Sequence, residues 1–373
     1  MLPAMRLLRA TILAAASMAG CGSGEPAVAN PVPDASEAAS APGKGAVDQL
    51  AEGCSCGTLP GCPPCPAPAK SAASATAPGA IVAATSAPSV FPPAPLKAPF
   101  ERTAKDGDGD WKSMTVRGGK TSPLAVTTLH PHTIRGDVVM QIVAIDTSRL
   151  SMELVLGTEE PEGYTAAEPT RTGLVPAATL DALVAVANGG FKKRHGGHGI
   201  GMGGVSLIAP RPDFCTFAKT KDGTYRVGVW SALEAEATSF AWYRQTPPCL
   251  VESGAKNPDT VNEYKAKRWG GAEDGRKDIR RSAIGIGADP AILYFAIGDW
   301  VTSEWLANGL IAAGITTAAE LDINYSYTRF IVYEGSAPDA LVATSPLLKE
   351  LKAPRKEYWS EPSRRDFFYL AWR

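Results

Sequence analysis

Ser282-Ala283-Ile284-Gly285-Ile286, then Gly287-Ala288-Asp289-Pro290, then Ala291-Ile292-Leu293-Tyr294-Phe295-Ala296-Ile297, is the stretch whose reading decides the fold. Two apolar runs flank a turn made of Gly, Asp and Pro, which predicts a β-hairpin. Downstream, Leu306, Leu310 and Ala313 recur at helical spacing, so 303–313 is predicted as a helix. Thr302 or Ser303 can cap its start and Gly314 ends it. Two further strands are expected at 321–323 and 330–333. Upstream, 138–145 and 150–156 alternate apolar residues around Asp146-Thr147-Ser148 and predict another hairpin. A short apolar run at 182–187 reads as a buried strand ending at Asn188-Gly189-Gly190. The fold class is therefore α+β, mostly antiparallel sheet with a few helices.

Composition sets the limits of that domain. Of the 373 residues, 22–99 contain 51 Ala, Gly, Pro or Ser among 78 positions and one aromatic, Phe91. All eight tryptophans lie in 100–373. A segment nearly without large aromatics cannot bury enough surface to offset its chain entropy. The division is a signal segment at 1–20, a disordered tether at 21–99 and one folded domain at 100–373. The charge balance, 37 basic against 38 acidic residues, gives a net charge of -1 without blocks of one sign. Nucleic acid is excluded as a partner, because binding it requires a basic face.

Arg6 and Arg9 precede an apolar run at 10–18, followed by Ala19, Gly20 and Cys21, the layout of a secretory signal. Met18-Ala19-Gly20-Cys21 resembles the bacterial lipobox, which implies an acylated Cys21, a lipid bilayer as partner and an extracytoplasmic place in the cell envelope. Cys54, Cys56, Cys62 and Cys65 follow within the tether. They read as two local disulfides of open pairing, with a zinc knot as the alternative. Cys215 and Cys249 are expected to pair in the domain.

Three segments carry candidate chemistry. Asn188 to Gly204 holds eight glycines in seventeen residues, and Lys192, Lys193 and Arg194 set cations beside its amides, a combination suited to an anion. The histidines fall as His130-Pro131-His132 and His195-Gly196-Gly197-His198, chelating spacings that suggest a divalent metal. Asp322 and Asn324 end an apolar strand and are expected to face one side together. Lys105 to Trp111 alternates aspartates, but Arg117 stands where a calcium loop needs glutamate, so a solvated turn is expected.

In order and spacing, these segments resemble the phosphodiester glycosidase family. Val186-Ala187-Asn188-Gly189-Gly190-Phe191 matches its N-G-G-[FY]-F strand end, and Arg281-Ser282-Ala283-Ile284-Gly285 matches its R-[TS]-A-I-G strand. Its L-D-G-G-G-S-S loop becomes Leu321-Asp322-Ile323-Asn324-Tyr325-Ser326-Tyr327, where side chains replace three glycines and obstruct a phosphate approaching the backbone. The resemblance spans about residues 130–335. It implies a phosphodiester-glycosidase-like domain and a membrane-tethered hydrolase of an envelope glycan or glycosyl phosphate. Asp322 is the implied acid/base or nucleophile, Arg281 the anion clamp and Asn188 the orienting group. Asn324, Ser326, Lys192 and Arg194 would contact the carbohydrate or glycosyl phosphate ligand. Two alternatives remain open: a non-catalytic glycan-binding lipoprotein on the same fold, and a metal-dependent hydrolase using His130, His132, His195 and His198.

Overall fold

The computed structural model describes residues 90–118, 121–163, 170–335, 342–343, 347–348 and 358–373. All belong to the compact unit Val82–Arg373. The signal segment, Cys21 and the four-cysteine cluster lie outside the described residues.

Every strand pairing between named strands is antiparallel. The largest sheet has eight strands, in the order Lys112–Ser113, Leu124–Leu129, Val139–Asp146, Ile292–Val301, Ile279–Gly287, Ile315–Ile323, Val251–Glu252 and Ala255–Lys256. A five-stranded sheet runs Val205–Ile208, Ile200–Met202, Phe240–Thr246, Cys215–Thr220, Tyr225–Val229. Another runs Val342–Ala343, Phe330–Glu334, Leu183–Asn188, Phe367–Trp372, Leu150–Val155. Helix is confined to short pieces, the longest being Ser303–Ala312. This is the sheet-rich α+β class expected from the sequence.

The predicted hairpin is present, with Ala283 opposite Ala296 and Ile284 opposite Phe295. Its unbroken apolar runs follow from burial on both faces. Ile284, Leu293, Phe295 and Ile297 join a core that also takes Leu154, Val184, Phe217, Trp242 and Phe368 from the other two sheets. Their alternating neighbours Ala283, Ile292, Tyr294 and Ala296 turn the opposite way, onto Leu306, Ala307 and Leu310 of the helix. The Thr302 hydroxyl accepts from Trp305 N and caps that helix, and Gly314 leaves it at φ +73. Gly309 is required by proximity: a Cβ there would stand 1.9 Å from Met140 Sδ.

Cys215 and Cys249 form the expected disulfide, with Cα atoms 4.7 Å apart and a sequence separation of 34. By loop-closure entropy, such a link contributes roughly 3–4 kcal/mol.

Two local expectations are corrected. Val139–Asp146 and Leu150–Val155 do not pair with each other; they belong to different sheets. Asp146 makes the corner rigid: its carboxylate accepts from Ser148 N and Arg149 Nε, while Thr147 N is taken by Ala291 O. The alternation seen in sequence was real, but each strand found a different partner. The aspartate loop is also not solvated throughout, because Asp108 is drawn inward to His130 Nδ1 at 2.9 Å, with both side chains almost wholly buried. Ahead of position 100, Phe91 and Leu96 already pack against the helix-side core.

Candidate functional site

Strand ends from two sheets converge on one opening. Asn188 ends its strand opposite Phe367, and Ile323 ends its strand opposite Arg281. Asp322 N donates to Gly189 O at 2.9 Å, which ties the two sheets together at this point. The result is a cleft of about 760 Å³ walled by Phe191, Lys192, Arg194 and His195, by residues 267–268 and 270–274, and by Ile323 to Tyr327, with Asp322 and Arg365 in its lining. Lys192, Arg194, Lys267, Arg268 and Arg365 line it against Glu273, Asp274 and Asp322, so cations predominate.

Asp322, the sequence-derived acid candidate, lies in the cleft lining. Its Oδ2 pairs with Arg365 Nη2 at 2.7 Å and its Oδ1 accepts from Ile323 N, both side chains being nearly buried. Burial pushes its pKa up to about 6, against the pull of the Arg365 charge and with the Asp366 carboxylate adding to the rise. Arg365 also donates to Gly190 O, lies 4.8 Å from the Tyr327 ring and has a buried Nε without a partner among the described residues. An under-satisfied ion pair at a cleft is the arrangement expected of a site rather than of plain packing.

Arg281 is corrected. It is 1% exposed, absent from the cleft lining, and its donors go to Lys277, Val301, Trp269 and Gly270 carbonyls and to Glu320 at 2.8 Å. It braces the 269–277 loop that forms one wall and has no fork left for a substrate anion. Glu320, wholly buried, has its pKa raised to about 7 by burial, which Arg281 opposes. Asn188 is corrected in the same way. Its amide donates to Gly189 O and to Ser282 Oγ, and its oxygen accepts from Arg329 N. Ser282 Oγ donates in turn to Asp322 O at 2.8 Å, joined there by Thr328 Oγ1. Asn188 and Ser282 therefore hold the backbone of Asp322 and are absent from the cleft lining.

Lys192, Arg194, Asn324 and Ser326 do line the cleft. Asn324 lies one residue past the strand at φ 76, where its oxygen accepts from Ser326 N, so it does not continue the strand alternation from Asp322. The glycine loop offers little amide cradle. The amides of Gly189, Gly190, Lys193, His195, Gly197, Gly199 and Gly203 already donate within the protein. Gly189 and Gly190 are needed for packing, since a Cβ would lie 2.2 Å from Asp366 Oδ2 or 2.7 Å from Arg244 Cζ. Side-chain cations, not loop amides, are what this cleft presents to an anion.

The four histidines do not form one set. His130 pairs with Asp108. His132 Nδ1 accepts from Ile134 N and Arg135 N, and its ring packs on Trp305 at 4.2 Å. His198 is sandwiched by Phe191 and Phe214, and burial, with Arg244 and Arg211 adding to it, lowers its pKa to about 3. Only His195 lines the cleft, its pKa lowered by burial and then by Arg194, Arg365 and Lys192. Among the described residues, no group of three or more His, Cys, Asp or Glu is placed to hold a metal ion. That corrects the divalent-metal reading of these histidines.

Sequence reasoning missed Arg365 in the cleft lining and the buried residues Asp366 and Arg244. Arg244 and Asp366 form a buried pair at 2.9 Å, and Arg244 also donates to the carbonyls of Phe191, His198 and Gln245. The signal available was Arg364-Arg365-Asp366, a charged triplet set directly against the apolar strand Phe367–Trp372.

No family model matches the chain, and no curated protein matches it. Among solved structures, it is similar to the catalytic domain of zebrafish N-acetylglucosamine-1-phosphodiester alpha-N-acetylglucosaminidase, auto-inhibited by its pro-peptide. There the TM-score is 0.40 at 15% identity, covering 70% of this chain and 87% of that one. It is also similar to a protein from Synechocystis, with a TM-score of 0.38 at 12% identity, covering 70% of this chain and 64% of that one.

Proposed function

We propose that the cleft is a hydrolytic site for an envelope glycan or glycosyl phosphate, with Asp322 as its general acid. The observation that carries this reading is the Asp322–Arg365 pair at 2.7 Å in the lining of a largely cationic cleft. A carboxyl group with a pKa near 6 holds a proton to give to a departing oxygen at mildly acid pH. Lys192, Arg194 and Lys267 supply positive charge for a phosphate or carboxylate on the substrate. His195, its pKa lowered by its surroundings, is a group in the same cleft able to accept a proton from an attacking water. The domain would act outside the cytoplasm, tethered through an acylated Cys21.

The non-catalytic alternative is favoured by one observation: Arg281 and Asn188, two of the three implied catalytic positions, are spent on the protein itself. Turnover separates the readings. Sugar-1-phosphodiester substrates and envelope glycan fragments are incubated with wild type and with Asp322→Asn. Hydrolysis that falls about a hundredfold in the variant, and that in wild type declines as pH rises through about 6, supports the proposal. Hydrolysis unchanged by the substitution, or none on any of these substrates, leaves the binding module.

A further inference from the structure

We infer that Trp300 and Tyr325 form an aromatic platform at the cleft rim that takes the apolar face of a pyranose ring; the inference deepens the glycan reading above and rests on it.

Among the described residues, few large apolar side chains are exposed, and Trp300 and Tyr325 are two of them at 44% and 43%. Their rings touch edge to face, with centroids 6.0 Å apart. Tyr325 lines the cleft, so the pair continues that surface outward. Exposed singly, such residues need no explanation; paired beside a cleft, they mark a contact surface.

The backbone is bent to present them. Pairing of Ile292–Val301 with Ile279–Gly287 slips between Ile279 and Arg281, a bulge that places Trp300 at φ 56. A bulky residue in the left-handed region is strained, and bulges re-aim side chains next to sites. Tyr325 follows Asn324, itself at φ 76. Two neighbouring aromatics are thus both delivered by left-handed backbone.

Polar groups surround the rings as a sugar requires. Arg280 stands 4.7 Å from the Tyr325 ring and is fixed by a two-pronged pair with Asp299, at 2.6 and 2.8 Å. Arg276 lies 5.6 Å from the Trp300 ring. A pyranose has one face of C–H groups and an equator of hydroxyls. An aromatic face bordered by guanidinium and carboxylate groups matches that division.

The test titrates the full-length protein with four soluble tetrasaccharides, built from glucose in α-linkage, glucose in β-linkage, mannose and N-acetylglucosamine. Tryptophan fluorescence and calorimetry read binding. At least one should bind, about tenfold more weakly to Trp300→Ala and to Tyr325→Ala, with binding kept by Trp300→Phe. Binding by the wild type with no turnover of any of the four would sink the hydrolase while leaving the platform. Thermal melts show whether each variant is folded, and Tyr325→Ala decides alone if Trp300→Ala is not. The platform is refuted if no tetrasaccharide binds, or if one binds the folded alanine variants as tightly as wild type.

Discussion

Asp322 and Glu320 stand two residues apart on one strand, each facing an arginine, Arg365 and Arg281 respectively. Despite those partners, burial raises both, to about 6 and about 7. A carboxyl whose folded value lies above its unfolded one keeps its proton longer when folded. The native state then binds more protons than the unfolded chain between about pH 4 and those values. Stability from this source is complete below about pH 4 and is lost as pH rises through 6 and 7. Urea midpoints measured from pH 4 to 7 should fall less steeply in Asp322→Asn than in wild type; equal slopes would show that Asp322 does not titrate in this range. The sequence singled out Asp322, Asn188 and Arg281 together, and of the three Asp322 lines the cleft. Their roles were not legible, because a motif records which residues meet but not which of their hydrogen bonds the protein keeps for itself. Arg281 shows the gap most plainly: five of its acceptors belong to its own chain.

The helix Ser303–Ala312 lies so close to the eight-stranded sheet that Gly309 has Met140 where a side chain would be. Gly309→Ala gains up to about 1 kcal/mol of helix propensity but must displace a fully buried thioether, at a cost of about 1–3 kcal/mol. The net expectation is a loss of roughly 1 kcal/mol in a denaturation curve, absent when Gly309→Ala is made in a Met140→Ala background. A stabilised single variant would mean that the helix can move away freely. This helix was readable from sequence because capping, spacing and stop signal agree. So was the 282–297 hairpin, whose turn is local. The 138–156 hairpin misled for the opposite reason. Period-two alternation specifies which side of a strand is buried, not which strand lies beside it, and the Asp146 corner sends the two strands into separate sheets.

For the whole molecule, the signal and tether reading makes a separate demand. Mature protein from the producing bacterium should carry acyl chains on an amino-terminal Cys21 and pellet with membranes, and Cys21→Ser should release it into the soluble fraction. An unmodified Cys21, or a membrane-bound Cys21→Ser, would remove the anchor. The α+β class followed from the pattern of apolar runs, whereas the division into three sheets around a shared core did not, since it rests on pairings between distant segments. The strand Phe367–Trp372 shows what that distance means. It lies between Leu150–Val155 and Leu183–Asn188, and Arg365 and Asp366 immediately precede it. Its carboxylate and guanidinium meet Gly190 across 176 and 175 residues. While the ribosome has yet to deliver this strand, its two neighbours each present an open edge, and Asp322 and Arg244 are charges without counterions. The cleft therefore cannot assemble before this strand has been made. A protease that trims the chain ahead of Arg365 would abolish the site and bare two edges for aggregation in the same cut.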